Sequence, residues 1–329
     1  MFYKVGGQMF KKFLLLVFLL LFAIPQSFSA ELLDLVPSNT EIVIRSNIKQ
    51  ITHIPELKQK IQDIIKEQDR NEYVKSIKAC GFNILTDVDS LLLFMPIQST
   101  NPQEALKAEI AFIVSGKFNV DKIMEALKSN NDLKDKLVIS EEDGFQTITS
   151  MDAEKGNTKI LVVDPTTVVC GTEPGVNAAK QVILGKREGI KTNKDFSSVI
   201  TKLNDKASVA IAAVLPDQAR EFFASKEQSK ALSVIQYLSM DFTKNDNLDI
   251  HVIGDFSASA NMTEINKVLT EFFDGLKKMD MPYEACNDFA KNAKISTSSM
   301  SATITTLITQ ASIDKLIENF GSPQTKTDK

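Results

Sequence analysis

The stretch from 137 to 171 leaves its backbone little choice of fold. Four strand-forming runs, Leu137-Val-Ile, Phe145 to Met151, Lys159 to Val163 and Thr167 to Cys170, are separated by the turn signals Asp143-Gly144, Gly156-Asn157 and Asp164-Pro165. Parallel neighbours need a crossover of about a dozen residues or more, so connections this short dictate antiparallel pairing. That moves the fold away from a doubly wound nucleotide-binding sheet. Phosphate loops are missing as well: neither G-x-G-x-x-G nor G-x-x-x-x-G-K-[ST] occurs, and Gly116-Lys117 lacks the preceding glycine and the following hydroxyl.

The rest of the chain supplies strands and amphipathic helices around this meander. Glu41 to Arg45 reads as a short strand, and Ser90 to Met95 and Glu109 to Val114 read as strands apolar on both faces. Pro55 opens a helix with Leu57, Ile61, Ile64 and Ile65 on one side, and a short helix from Tyr73 to Cys80 follows. Asn119 caps a helix carrying Val120, Ile123, Met124 and Leu127, and Pro174 starts another that Gly185 ends. In the second half a helix near 196–203 precedes a strand over Ser208 to Leu215. Helices are expected at 217–225 and 231–238, then strands near 239–243 and 248–256. The helix from Asn261 bears a broad stripe of Met262, Ile265, Val268, Leu269, Phe272, Phe273, Leu276 and Met279. A helix with Tyr283, Cys286 and Phe289, strands over 294–308 and a last helix with Ile313, Leu316, Ile317 and Phe320 complete the chain.

One pattern occurs twice in this order: V-x-G-x-F at Val114, Gly116 and Phe118, and again at Val252, Gly254 and Phe256. Each copy ends a strand-like run and leads into an amphipathic helix. The ordered context carries more weight than the motif itself. Lys117 in one copy is Asp255 in the other, so the shared positions mark structure and no shared catalytic duty. The expected fold is therefore α+β, a duplicated unit of antiparallel sheet with helices packed mainly on one face. The polar, glycine-bearing run 185–194 marks the boundary, giving repeats at 31–190 and 191–321 and a disordered tail at 322–329.

The first 30 residues read as a signal peptide. Lys11-Lys12 precede the apolar run Phe13–Ile24, which is shorter than the ~20 residues a spanning helix requires, and Pro25 to Ala30 form a small-residue exit. Met9 is an alternative start, and no cysteine follows the apolar run to accept a lipid anchor. Of 38 basic side chains three, Lys4, Lys11 and Lys12, leave with this segment, so 35 remain against 42 acidic ones. Nucleic acid and anionic membranes are bound through clustered Lys and Arg, so this balance argues against both partners. No further membrane span is expected. The destination is outside the cytoplasm, periplasmic or extracellular.

Few residues offer chemistry. His53 and His251 lie in different halves without H-x-H or H-E-x-x-H spacing, and Cys80, Cys170 and Cys286 share no C-x-x-C, so no zinc set is identifiable. An oxidising compartment would permit one disulfide among the three cysteines, although each sits among apolar residues as a small buried hydrophobe would. No G-x-S-x-G elbow occurs. Glu141-Glu142-Asp143, directly before Gly144, fits a solvated hairpin tip better than a hard-cation site. Asn261-Met-Thr263 has the glycosylation pattern but sits where a helix cap belongs. His251 alternates with Asp249, Ile253 and Asp255 on one strand face, opposite Ile250 and Val252; such a face is either ligand-directed or simply solvated. The array Ser296 to Thr306 would present hydroxyls to a glycan, a partner or water.

The opening Leu35-Val-Pro-Ser-Asn-Thr40, with a strand and a helix after it, resembles an uncharacterised family of exported bacterial proteins found in planctomycetes and related groups. Members begin L-V-P-A-D-x, continue with a strand and G-x-F before a helix, and later show T-x-V-x-G-x before another. Leu35, Val36, Pro37, Gly116, Phe118, Thr167, Val169 and Gly171 match, whereas Ser38-Asn39 replace Ala-Asp. The resemblance implies export and fold and brings no activity or cofactor with it. The expectation is an exported, non-enzymatic envelope protein that binds a partner or serves a structural role. The alternatives are a periplasmic carrier of an apolar ligand and a hydrolase with an unrecognised site.

Overall fold

The computed structural model describes residues 30–51, 58–59, 62–63, 66, 82–96, 107–131, 133, 136–150, 158–204, 206–279, 281 and 283–321. The signal region up to residue 29, His53, most of the helix expected from Pro55, Cys80 and the tail from Ser322 lie outside them. The chain divides into two compact units, Met1–Ala213 and Val214–Lys329. The run 185–194, read above as the boundary, lies within the first of them. Its Gly189 bridges Pro37, Ile190 N–H donates to the Val36 carbonyl at 2.7 Å, and Ile190 itself is buried. A polar stretch with an isoleucine in it has been stitched to the L-V-P opening.

The first unit holds β1 (Ile42–Asn47), β2 (Val88–Met95), β3 (Ala111–Gly116), β4 (Leu137–Glu142), β5 (Phe145–Ser150), β6 (Thr158–Asp164), β7 (Thr167–Thr172) and β8 (Val209–Val214). Their order across the sheet is β8-β1-β2-β3-β7-β6-β5-β4, and every pairing is antiparallel. Within β4–β7 the short connections are the reason. Between β4 and β5, Asp143 (φ 53°) and Gly144 (φ 84°) both adopt the positive φ of a primed two-residue turn, whose twist matches that of the strands.

Helices lie on both faces of this sheet. Residues opposite one another in an antiparallel pair share a face, so Ile139, Ile148 and Ile160 form one row. Helix α1 (Val120–Ser129) packs Met124 and Leu127 onto that row, with Asn119 capping it by accepting from Lys122 N–H. Helix α2 (Glu173–Ile183) lies on the other face, where Lys159 reaches Asn177 on α2 and Lys180 reaches Glu142 on β4. The Thr172 side chain caps α2, Pro174 occupies its first turn, and Gly185 (φ 67°) follows its end. Helix α3 (Lys194–Ile200) buries Phe196, Val199 and Ile200.

The second unit opens with α4 (Asp217–Ala224) and a 3-10 segment, Glu227–Val234. Its strands are β9 (Ile235–Lys244), β10 (Leu248–Phe256), β11 (Lys294–Thr297) and β12 (Ser301–Ile308), in the antiparallel order β11-β12-β10-β9. The helix expected over 231–238 is corrected here. Residues 235–238 belong to β9, because Tyr237 and Leu238 pair with Asp255 and Gly254 and the ladder overrides a weak helical period.

Helices α5 (Met262–Lys277), α6 (Glu284–Asn292) and α7 (Gln310–Gly321) follow the strands. Two of them demonstrably cover one face: Ile265 of α5 packs with Phe256 and Ala302, and the Thr306 hydroxyl donates to the Phe289 carbonyl of α6 at 2.7 Å. Asn261 caps α5, as its position implied. The broad stripe on α5 is only partly used. Ile265 and Phe273 are buried, whereas Phe272 is 57% exposed, since a step of one residue rotates a side chain about 100° off the packed line, and Met279, 61% exposed, lies beyond the helix end.

The recurring pattern lands on two different local structures. Gly116 ends β3, where an added Cβ would stand 2.1 Å from the Asp87 carbonyl oxygen, so no side chain fits. Phe118 lies just beyond the strand and stacks on Phe82. Gly254 lies within β10, where the nearest atom to an added Cβ is a Phe256 ring carbon at 3.4 Å, and Phe256 is a buried strand residue beside a bulge. Val114 and Val252 are half-buried strand residues in both copies.

Candidate functional site

The second sheet has a face opposite the one on which α5 and α6 pack. Strand alternation puts Tyr237, Ser239, Asp241 and Thr243 of β9 on it. Register then adds Asp255, Ile253, His251 and Asp249 of β10 and Ser301, Thr303, Thr305 and Leu307 of β12. The edge strand contributes Lys294 and Ser296. One cross-strand row thus runs Asp241, His251, Thr305, Lys294, and the next runs Ser239, Ile253, Thr303, Ser296. The two sequence features with an alternative to bulk solvent, the His251 face and the serine/threonine array, are brought together as one surface.

Burial grades across it. His251, Lys294 and Ser296 are exposed, Asp249, Asp255, Ser301, Thr303 and Thr305 are half-buried, and Ser239 and Asp241 are 2% and 6% exposed. The Ser239 hydroxyl has no hydrogen-bond partner among the described residues, an arrangement that costs about 1–3 kcal/mol in a buried position. A threonine, a histidine and an aspartate in register have the residue types of a nucleophilic triad. Acyl transfer also needs aimed backbone N–H donors for the oxyanion, and within a sheet those donors are committed to the ladder. The surface instead offers hydroxyls that donate and accept, carboxylates that accept and one imidazole, with neighbours about 4.8 Å apart along each cross-strand row.

A second cluster of charge lies in the first unit. Lys159 on β6 donates to both oxygens of Glu142 at 2.9 and 2.7 Å and to the Asn177 amide oxygen at 3.2 Å. Lys180 on α2 reaches Glu142 Oε2 at 2.9 Å and Asp143 Oδ2 at 3.0 Å. The lysine side chains are 4% and 8% exposed, that of Glu142 34%. Hydrogen bonds from Lys159 and then Lys180 hold the Glu142 carboxyl down at about 2. Burial opposes the charge on Lys180, but its bonds to Glu142 and Asp143 outweigh it and its pKa is raised. Glu142 and Lys180 are thereby held in their charged forms. The cluster clasps the β4–β5 hairpin tip to α2 and is not poised to move a proton near neutrality.

This clasp corrects the solvated reading of Glu142. The tip residues Glu141 and Asp143 are exposed as expected, but strand parity turns Glu142 beneath α2. Lys159 and Lys180, each set among apolar neighbours in sequence, were the available signal. With two ammonium groups occupying its carboxylates, the tip is no cation site, and the described residues contain no group of three or more His, Cys, Asp or Glu arranged to hold a metal. Cys170 and Cys286 are free thiols, and burial pushes the Cys170 thiol up to about 11.

A further concavity of about 500 Å³ is open to solvent and lined by Asp121, Met124, Glu125, Lys128 and Ser129 of α1 with Gln146 of β5. No helix among the described residues is long and apolar enough to cross a membrane. Comparison with known proteins adds no relative: no family model, no curated protein and no solved structure matches the chain.

Proposed function

We propose that this chain is an exported, non-enzymatic binding protein of the cell envelope, and that the face of the second sheet opposite α5 and α6 is its contact surface. One observation carries the reading: Asp249, His251, Asp255, Ser301, Thr303 and Thr305 stand in register on a face that α5 and α6 leave uncovered. Such a surface suits a partner rich in hydroxyl and amide groups, bound by many modest hydrogen bonds. Export rests on the Lys11-Lys12, Phe13–Ile24 segment and on the resemblance noted above.

We further infer that one α+β unit is used twice. The order β2-β3-β7-β6 in the first unit matches β9-β10-β12-β11 in the second. A helix follows the second strand of each set, α1 or α5, and another follows the last in sequence, α2 or α7. The second copy lacks a counterpart of β4 and β5, so it has fewer strands on that side.

The carrier reading needs an enclosed apolar cavity, and the concavity beside α1 is open with Asp121, Glu125 and Lys128 on its rim. The hydrolase reading needs groups poised near neutrality, whereas Glu142 and Cys170 are shifted away from it. The test is capture from the envelope fraction with wild-type mature protein beside Thr303→Lys/Thr305→Lys. A partner, protein or polysaccharide, retained by the first and lost by the second at equal thermal stability supports the proposal. Equal retention, or no retention by either, removes it.

A further inference from the structure

Lys159 makes one contact that the charge pairing of the clasp does not require. Its side chain, 4% exposed, is held by both oxygens of Glu142, and its further polar neighbour is the carboxamide of Asn177, whose Oδ1 lies 3.2 Å from Nζ. The carboxamide carbon is one C=O bond, about 1.23 Å, from that oxygen. Asn177 Nδ2 makes no hydrogen bond among the described residues. An amine, a carboxylate and an amide with an uncommitted nitrogen are thus brought together beneath α2. Both backbones that carry them are firmly placed. Lys159 stands between Thr149 of β5 and Gly171 of β7, and Asn177 rides on α2, whose Gly175 packs so closely that an added Cβ would stand 2.4 Å from the Ile110 carbonyl oxygen. Reacting groups held in a fixed frame reach effective concentrations of about 10⁵–10⁸ M, which brings an otherwise very slow amide exchange within reach.

Near neutrality Lys159 is an ammonium ion paired with Glu142 and has no lone pair to give. The other charged group facing the shared carboxylate is Lys180 from α2, itself paired with Asp143 and through it with Lys186, while the neighbours of Lys159 on β5 and β7 are the uncharged Thr149 and Gly171. The clasp of neutral solution is therefore ionic. Raising the pH removes the ammonium proton, frees the nitrogen lone pair and loosens the hold of Lys159 on Glu142.

We propose that Lys159 and Asn177 are a latent cross-link, closed by an isopeptide bond once Lys159 is neutral. The Nζ–Cγ bond forms and the Cγ–Nδ2 bond breaks. Glu142 takes the proton shed by the attacking nitrogen and passes it to the departing one, which leaves as ammonia; nothing is oxidised or reduced. The product ties β6 covalently to α2, and Glu142 keeps its bond to Lys180.

Intact-mass spectrometry of the mature chain, incubated between about pH 7 and pH 10, tests this. The expected result is the loss of one ammonia per chain at a rate that climbs about tenfold with each pH unit while the ammonium form prevails, and a branched peptide joining Lys159 to Asn177 after digestion. Lys159→Arg keeps the charge but offers no amine, and Asn177→Ala offers no carboxamide, so both should keep their full mass. Circular dichroism checks that the variants are folded, and the branched peptide of the wild type decides the matter if either is not. A wild-type chain that keeps its full mass at every pH overturns the proposal. So does an ammonia loss that survives in Lys159→Arg or yields no branched peptide, because an asparagine has then closed on its own backbone as a succinimide. Hydrolysis of Asn177 to aspartate as the sole change overturns it as well, since water would then have reached the carboxamide ahead of the amine.

Discussion

The two sheets differ in what happens to their polar side chains. In the first, helices lie on both faces, and the lysines and carboxylate that reach the interior beneath α2 are bound to one another: Lys159, Lys180 and Glu142 are saturated by their own contacts. In the second, helices cover one face and the other carries hydroxyls, carboxylates and an imidazole in rows, with His251 exposed. The difference teaches where to look for recognition. Polar groups that saturate each other beneath a helix hold a fold together, whereas exposed groups such as His251, Lys294 and Ser296 mark where recognition can be sought.

The comparison is broken most directly at the clasp. Glu142→Ala would strand two largely buried ammonium groups; with the carboxylate one-third exposed, the loss falls between that of surface and buried pairs, about 2–3 kcal/mol in chemical unfolding. Gly116→Ala should cost a similar or slightly smaller amount, about 1–3 kcal/mol, because its Cβ would meet backbone at 2.1 Å. Gly254→Ala, with 3.4 Å of clearance, should stay within about 0.5 kcal/mol. Equal effects at the two glycines would show that the recurrent pattern does the same physical work in both units.

Acid titration sharpens the same contrast. The folded Glu142 carboxyl lies near 2, below its ordinary value of 4.5, so its contribution is fully present above about 4.5 and is lost as pH falls through about 2. Unfolding of Glu142→Gln should therefore depend less on pH across that window than unfolding of the wild type. On the open face, Thr303→Val/Thr305→Val should change stability by no more than about 0.5 kcal/mol while weakening partner retention. One expected change is a gain: Ser239→Ala removes a buried hydroxyl without a partner among the described residues and should raise stability by up to about 1 kcal/mol.

Much of this architecture is legible in the chain. The meander followed from its turns, and Asn119, Pro174, Gly185 and Asn261 sit where their local chemistry demanded. Residues 235–238 were misread because Ile235-Gln-Tyr-Leu satisfies either period until a partner strand is known. The run 185–194 looked like a boundary because composition does not show that Ile190 is buried and bonds the Val36 carbonyl through its N–H. His251 and the hydroxyl array were each visible, but their union on one face needs the β10–β12 register, which no local signal encodes. The clasp was invisible for the same reason: Glu142, Lys159 and Lys180 converge from three separate elements.

Cys170 has a consequence for the chain's thiol chemistry. With its thiol pushed up to about 11, only roughly one molecule in ten thousand carries the reactive thiolate at pH 7. Disulfide exchange proceeds through that thiolate, so small oxidants and foreign disulfides would find little to attack. In the folded protein the side chain therefore behaves as an inert filler.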